Sequence, residues 1–228
     1  MATIISPSKL SLSDVEDKFK LQEVMEPEFF PECVENLPQL IEIERQMLDR
    51  AKANYKYLSK DLVLEDLVKM VVVSPLLDLA GFYQPPFKVK AEYEVSLPIE
   101  DKDEDTIVKG RIDILVAMQR GLGGLPHERL HQDASKPIWI AVIESKRSAV
   151  SLQPAIPQAL VYMLKSPQTE QPTFGLVTNG ASFIFIKLAK GETLRYALSK
   201  AFDIWNPGNY LYDVLGILKR LAAVTAKS

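Results

Sequence analysis

The chain has 228 residues, 47% of them apolar and 25% charged, with a formal net charge of −3. That balance suits a compact fold with one main core, and it excludes a disordered, fibrous or disulfide-stapled protein, since Cys33 is the single cysteine. The longest apolar stretch, residues 70–82, is broken by Ser74, Pro75 and Asp78 and is too short to span a bilayer, and the N-terminus lacks a secretory pattern, so a soluble cytoplasmic protein is expected.

Residues 1–60 read as a helical N-terminal extension. Ser11 or Ser13 is placed to cap a helix whose first turn carries Asp14, Glu16 and Asp17, acids that favour the positive end of the helix dipole. Pro27 and Pro31 interrupt the pattern. Asn36 then offers a cap with Pro38 in the first turn, before Leu40, Ile41, Ile43, Met47 and Leu48 at helical spacing, and this helix is expected to run toward Tyr57. Ser59 or Asp61 can cap a third helix through Leu64, Leu67, Val68, Val71 and Val72, disturbed at Pro75 and ended by Gly81.

Beyond Pro85-Pro86 the period changes to two. Val89, Ala91, Tyr93, Val95 and Leu97 alternate with polar neighbours, as in a half-exposed strand that an acidic turn over residues 100–105 closes. Residues 107–118 form the next expected strand, whose inner half, Ile112-Asp113-Ile114-Leu115-Val116, is apolar apart from the aspartate. A glycine-bearing polar loop leads to the apolar run of residues 137–143, which ends in Glu144-Ser145-Lys146-Arg147. Charges within or at the end of buried strands are costly and need a reason.

Pro157 suits the first turn of a helix reaching about Lys165. Residues 174–178 and 182–188 flank Asn179-Gly180, a tight-hairpin signal, residues 194–198 suggest an edge strand, and a last helix spans roughly 209–224. The expected class is α/β or α+β, a mixed central sheet flanked by helices over residues 61–228.

Asp113, Glu144 and Lys146 thus fall side by side on two neighbouring strands, with Glu144 and Lys146 on one strand face. Two carboxylates beside one ammonium can hold Mg²⁺ and steer a water toward phosphorus. The negative net charge weighs only slightly against such a role, because a bound cation adds charge that the sequence count omits.

Over residues 62–188 the motifs Gly110-Arg111-x-Asp113, Ile143-Glu144-x-Lys146-Arg147, Gln158-x-x-x-Tyr162 and Val177-Thr178-Asn179-Gly180 resemble those of the PD-(D/E)XK nuclease superfamily. The resemblance extends more narrowly to the N-terminal nuclease domain of type I restriction enzyme motor subunits. Ile112 stands where the superfamily's name has proline. The resemblance implies a restriction-endonuclease-like fold and catalytic roles for Asp113, Glu144, Lys146, Gln158 and Tyr162. It implies Mg²⁺, or Mn²⁺, on Asp113 and Glu144, with Glu65 on the preceding helix as a further ligand. Lys146 would orient the attacking water and offset charge on phosphorus. Gln158 and Tyr162, one turn apart on a helix, would both reach the metal or the phosphate.

Other chemistry is thinly supported. His127-Glu128-Arg129-Leu130-His131 is a literal H-E-x-x-H, the pattern in which two histidines bind zinc and a glutamate activates water. That chemistry needs a sustained helix, whereas Gly121, Gly123 and Gly124 precede the motif and Pro137 follows it, so a polar connecting loop is the expectation. Cys33 has no histidine near it in sequence. No phosphate-binding G-x-x-x-x-G-K-[ST] exists, so no ATP site is expected.

The sequence therefore points to a Mg²⁺-dependent deoxyribonuclease, an endonuclease of a restriction-modification type, with DNA as partner and a second copy or a separate motor subunit as a further one. The alternative is a nucleic-acid-binding or assembly module on the same fold with weak or lost catalysis, since fold does not fix activity. Arg111, Arg147, Lys165 and Lys187 are basic residues with no assigned contact to phosphate.

Overall fold

The computed structural model describes residues 3–100, 105–118, 138–148 and 150–226. The H-E-x-x-H motif, the glycines before it and the body of the acidic turn lie outside the described residues. In chain order the elements are β1 (Thr3–Ile5), α1 (Leu12–Phe19), β2 (Leu21–Glu23), α2 (Glu42–Leu58), α3 (Glu65–Val68), a π turn (Lys69–Val73) and α4 (Ser74–Leu79). There follow β3 (Phe87–Glu100), β4 (Asp105–Met118), β5 (Ile138–Ser145), α5 (Ala155–Leu164), β6 (Thr173–Thr178), β7 (Ser182–Lys190), β8 (Leu194–Leu198), β9 (Phe202–Asp203) and α6 (Leu211–Ala226).

Among the described residues, the nine strands form one mixed sheet. β3 and β4 make a long antiparallel hairpin, β5 runs antiparallel to β4, and β6 runs parallel to β5 after the α5 crossover. β7 and β8 continue antiparallel. The N-terminal segment, expected to be wholly helical, also supplies two strands: β1 pairs parallel with the start of β4, and β2 pairs parallel with β8. Both are three-residue strands, too short to show a period-two pattern in sequence. β8 is therefore covered rather than an edge.

Helices cover both faces, as expected for the α/β class. On one face α2, α4 and α6 pack through Leu48, Tyr55, Leu77, Leu215 and Leu218 onto Ile114, Ile143, Leu176 and Phe185. On the other, α1 and α5 pack through Val15, Leu160 and Met163 onto Val108, Ile112, Val177 and Leu188. Among the described residues no helix is long and apolar enough to cross a membrane.

Local chemistry sets the element ends. Ser11 caps α1 with a reciprocal pair: its Oγ accepts the Asp14 N–H at 3.1 Å, and the Asp14 carboxylate accepts the Ser11 N–H at 2.9 Å. α2 starts at Glu42, later than the Asn36 cap predicts, because Asn36 turns left-handed at φ 53° and Glu44 instead accepts the Ile41 N–H at 3.1 Å. Pro75 does not end the third helix. The Ser74 N–H reaches back to the Lys69 carbonyl in the wider π turn, which lets the chain carry the proline, and Gly81 at φ 81° ends the helix.

The β3–β4 hairpin changes faces midway. Phe87 and Val89 on β3, with Ile114, Val116 and Met118 on β4, join the first core, whereas Tyr93, Val95 and Leu97, with Val108 and Ile112, join the second. Strict alternation would keep both sets on the same face. The break falls at Glu92, whose φ of 51° interrupts the extended backbone between the pairs Ala91↔Ile114 and Tyr93↔Ile112. Asp113 lies opposite that break.

Candidate active site

Asp113 comes from the middle of β4 and Glu144 from the end of β5, and both are buried, Glu144 to 1% exposure. Asp113 is fixed by the neighbouring strand: its Oδ2 accepts the Ser145 N–H at 2.7 Å and the Ser145 hydroxyl at 3.1 Å. Its Oδ1 lies 3.5 Å from the Lys69 ammonium.

Glu144 has two unequal oxygens. Oε1 accepts from Lys146 Nζ at 2.5 Å and from Gln158 Nε2 at 2.6 Å. Oε2 is buried with no hydrogen-bond partner among the described residues. Burial, with the negative charge of Asp113 added, pushes the Glu144 carboxyl up to about 8, and Lys146 opposes the shift only in part. A buried carboxylate oxygen without a donor is costly and signals a proton or a cation as its missing partner.

Lys146 is held where β5 leaves the sheet. Its backbone N–H donates to the Thr178 carbonyl at 2.7 Å, extending the β5–β6 pairing by one step. The segment beyond it is tied down twice: Asn179 Nδ2 donates to the Val150 carbonyl at 3.0 Å, and the Ser148 N–H donates to the Val63 carbonyl at 3.0 Å. Asn179-Gly180, legible as a hairpin turn, thus also braces the loop that carries Lys146. Leu64, Glu65, Asp66, Lys146, Arg147 and Val150 line an open depression of about 430 Å³, into which the partly exposed Lys146 side chain opens.

Gln158 and Tyr162 share one face of α5, pointing at the sheet. Gln158 Nε2 bridges Glu144 Oε1 and the Tyr162 hydroxyl, the latter at 3.1 Å. Tyr162 is 2% exposed, and its hydroxyl accepts from Gln158 Nε2 with the Arg111 backbone close by. Burial, with Glu144 and Asp113 nearby, pushes its phenol up to about 12. Gly110 allows the approach, since a Cβ there would come within 2.6 Å of the Tyr162 hydroxyl and 3.0 Å of Pro7.

Glu65 opens α3, and its carboxylate pairs with Lys69 Nζ at 3.1 Å. Sequence reasoning missed Lys69 and Glu92. Lys69 contacts Glu65, Asp66 at 3.7 Å, Glu92 at 3.5 Å and Asp113. Burial disfavours the Lys69 charge, but Asp113, Glu65 and Glu92 together outweigh it and hold its pKa above the ordinary lysine value. Its spacing of four from Glu65 was a usable signal. Glu92 offered none, because it reads as an ordinary outward residue of an alternating strand.

Of the basic residues without an assigned contact, Lys187 is structural: it pairs with the buried Glu32 at 2.8 Å and lies over the rings of Phe29 and Phe30. Lys165 closes α5. Arg111 is exposed and lies 3.6 Å from Glu92, and Arg147 is exposed at the depression. Cys33 is buried, and that burial pushes its thiol far up, away from nucleophilic use.

No protein-family model matches the chain, and no curated protein matches it. Among solved structures it overlaps a fragment described as an HsdR subunit of a type I restriction enzyme from Vibrio vulnificus YJ016, with 19% identity and a TM-score of 0.39. The overlap covers 68% of this chain and 26% of that one, so the matched part is about a quarter of that chain's length.

Proposed function

We propose that the chain is a divalent-metal-dependent deoxyribonuclease of the PD-(D/E)XK type, acting on DNA phosphodiester bonds as an endonuclease. The observation that carries this reading is the buried, partnerless Oε2 of Glu144 beside Asp113, with Lys146 fixed on the other oxygen. The donor set fits Mg²⁺ or Mn²⁺: hard carboxylate oxygens, one of them lacking any donor, in a site whose burial and like charges favour an added cation. Among the described residues no three His, Cys, Asp or Glu side chains are grouped to hold a metal. Asp113 and Glu144 would therefore be the two protein carboxylates on the ion, completed by backbone carbonyl oxygen and water, with Glu65 at the margin.

When bound, the ion would supply positive charge to the scissile phosphate and make a water more acidic. The protein's own groups have separate tasks. Ser145 orients Asp113 through two hydrogen bonds. Gln158 is a positioning residue that holds Glu144, and Tyr162 acts one step further back by holding Gln158. Lys146, partly exposed at the depression, can donate to a phosphoryl oxygen or to the attacking water and offset negative charge developing on phosphorus.

The test is cleavage of circular, linear and single-stranded DNA with Mg²⁺ or Mn²⁺, comparing wild type with Lys146→Ala prepared identically. Loss of cleavage in the variant with metal binding retained is the expected result. Equal cleavage by both would make the activity foreign to this site. No cleavage by either, with metal still bound, would favour a binding module that needs a partner, a second copy or a motor subunit.

A further inference from the structure

Lys69 occupies an unusual place. Its side chain, 19% exposed, lies against the one oxygen of Asp113 that Ser145 leaves available. Three other carboxylates surround the same ammonium, and all are more exposed than Asp113: Glu65 at 39%, Glu92 at 50% and Asp66 at 90%. A cation that seeks Asp113 Oδ1 and Glu144 Oε2 must therefore face the positive charge of Lys69 at the first of these. The long, flexible lysine stem and the graded exposure of its partners give that charge somewhere to go.

We infer that Lys69 is a tethered counter-ion of the carboxylate site, shared between Asp113 Oδ1 at 3.5 Å and Glu65 at 3.1 Å when no metal is bound and withdrawing from Asp113 onto Glu65, Asp66 and Glu92 when a divalent cation binds. The inference rests on the metal-site reading above. In the metal-free protein the ammonium reduces repulsion around Asp113. In the loaded protein it is a competitor whose displacement weakens apparent metal affinity. Glu92 has a specific part: its left-handed backbone sets its carboxylate within reach of both Lys69 and Arg111, on the outward side of Asp113.

The experiment is calorimetric titration of Mg²⁺ and of Mn²⁺ into the DNA-free protein, comparing wild type, Lys69→Met and Lys69→Arg. A charge adjacent to a carboxylate shifts its equilibria by about one to three powers of ten, so Lys69→Met should bind metal at least about tenfold more tightly while Lys69→Arg stays near wild type. Equal or weaker affinity in Lys69→Met would overturn the inference and leave the metal-site reading standing. Absence of binding in every form would overturn both. A second measurement needs no variant: reductive methylation of wild type, read by mass spectrometry, should label Lys69 more with metal than without, with Lys190 as an internal reference. Unchanged or reduced labelling of Lys69 in a protein that binds metal would refute the displacement.

Discussion

Replacing Glu144 by glutamine should raise the stability of the metal-free protein, by an amount that depends on pH. In the folded chain the carboxyl is pushed up to about 8, first by burial and then by Asp113, from an unfolded value near 4.5. The sign follows from proton counting: between these values the folded state holds the proton and the unfolded state releases it, so stability falls as pH rises through the window. The slope is about 1.4 kcal/mol per pH unit, which accumulates to about 3 kcal/mol at pH 7 relative to mildly acidic solution. Glutamine has no proton to lose and keeps an oxygen for Lys146 and Gln158. Urea denaturation of both proteins in a chelator, from about pH 5 to about pH 8, should therefore show curves that meet near the acidic end and diverge with the variant above. Parallel curves, or a wild type that gains on the variant as pH rises, would refute the assignment of Glu144 as a buried carboxyl lacking a partner.

Asp113→Ala should abolish divalent-metal binding by calorimetry and abolish DNA cleavage. It should cost about 1–3 kcal/mol in a urea melt, because it leaves the buried Ser145 N–H without its acceptor. Gly110→Ala forces a Cβ onto the Tyr162 hydroxyl and Pro7 and should destabilise by about 1–3 kcal/mol with a fall in kcat. The double variant with Tyr162→Phe should recover part of both losses, whereas simple additivity would show that the two positions do not meet. Gly180→Ala combines a left-handed backbone at φ 83° with a clash against the Tyr55 ring and should lower the melting temperature measurably. Because Asn179 braces the loop that carries Lys146, its loss of cleavage should exceed what the unfolded fraction explains.

The sequence by itself determined the elements that announce themselves through periodicity and punctuation. The apolar runs of β4 and β5, the Asn179-Gly180 turn and the spacing of Leu211, Val214, Leu215 and Leu218 are each local signals, and each became the expected element. The candidate residues Asp113, Glu144 and Lys146 were also legible, because a charge in or at the end of a buried strand is conspicuous on energetic grounds, whereas Gln158 was indicated only by the motif resemblance. What the sequence left open is how these groups divide their oxygens, since that depends on partners distant in the chain. Ser145 takes one oxygen of Asp113, Lys69 faces the other, and one oxygen of Glu144 is left without a donor. Residues 1–60 show the same limit in the fold. Their two short strands carry no period of their own and become strands only because β4 and β8 present unpaired backbone edges to them. The left-handed turn at Glu92 was likewise decided by tertiary structure, as a long hairpin must change faces there to serve two cores. A pattern of side chains records what each residue prefers locally, whereas hydrogen bonds and charges between distant strands are settled only when the sheet closes around them.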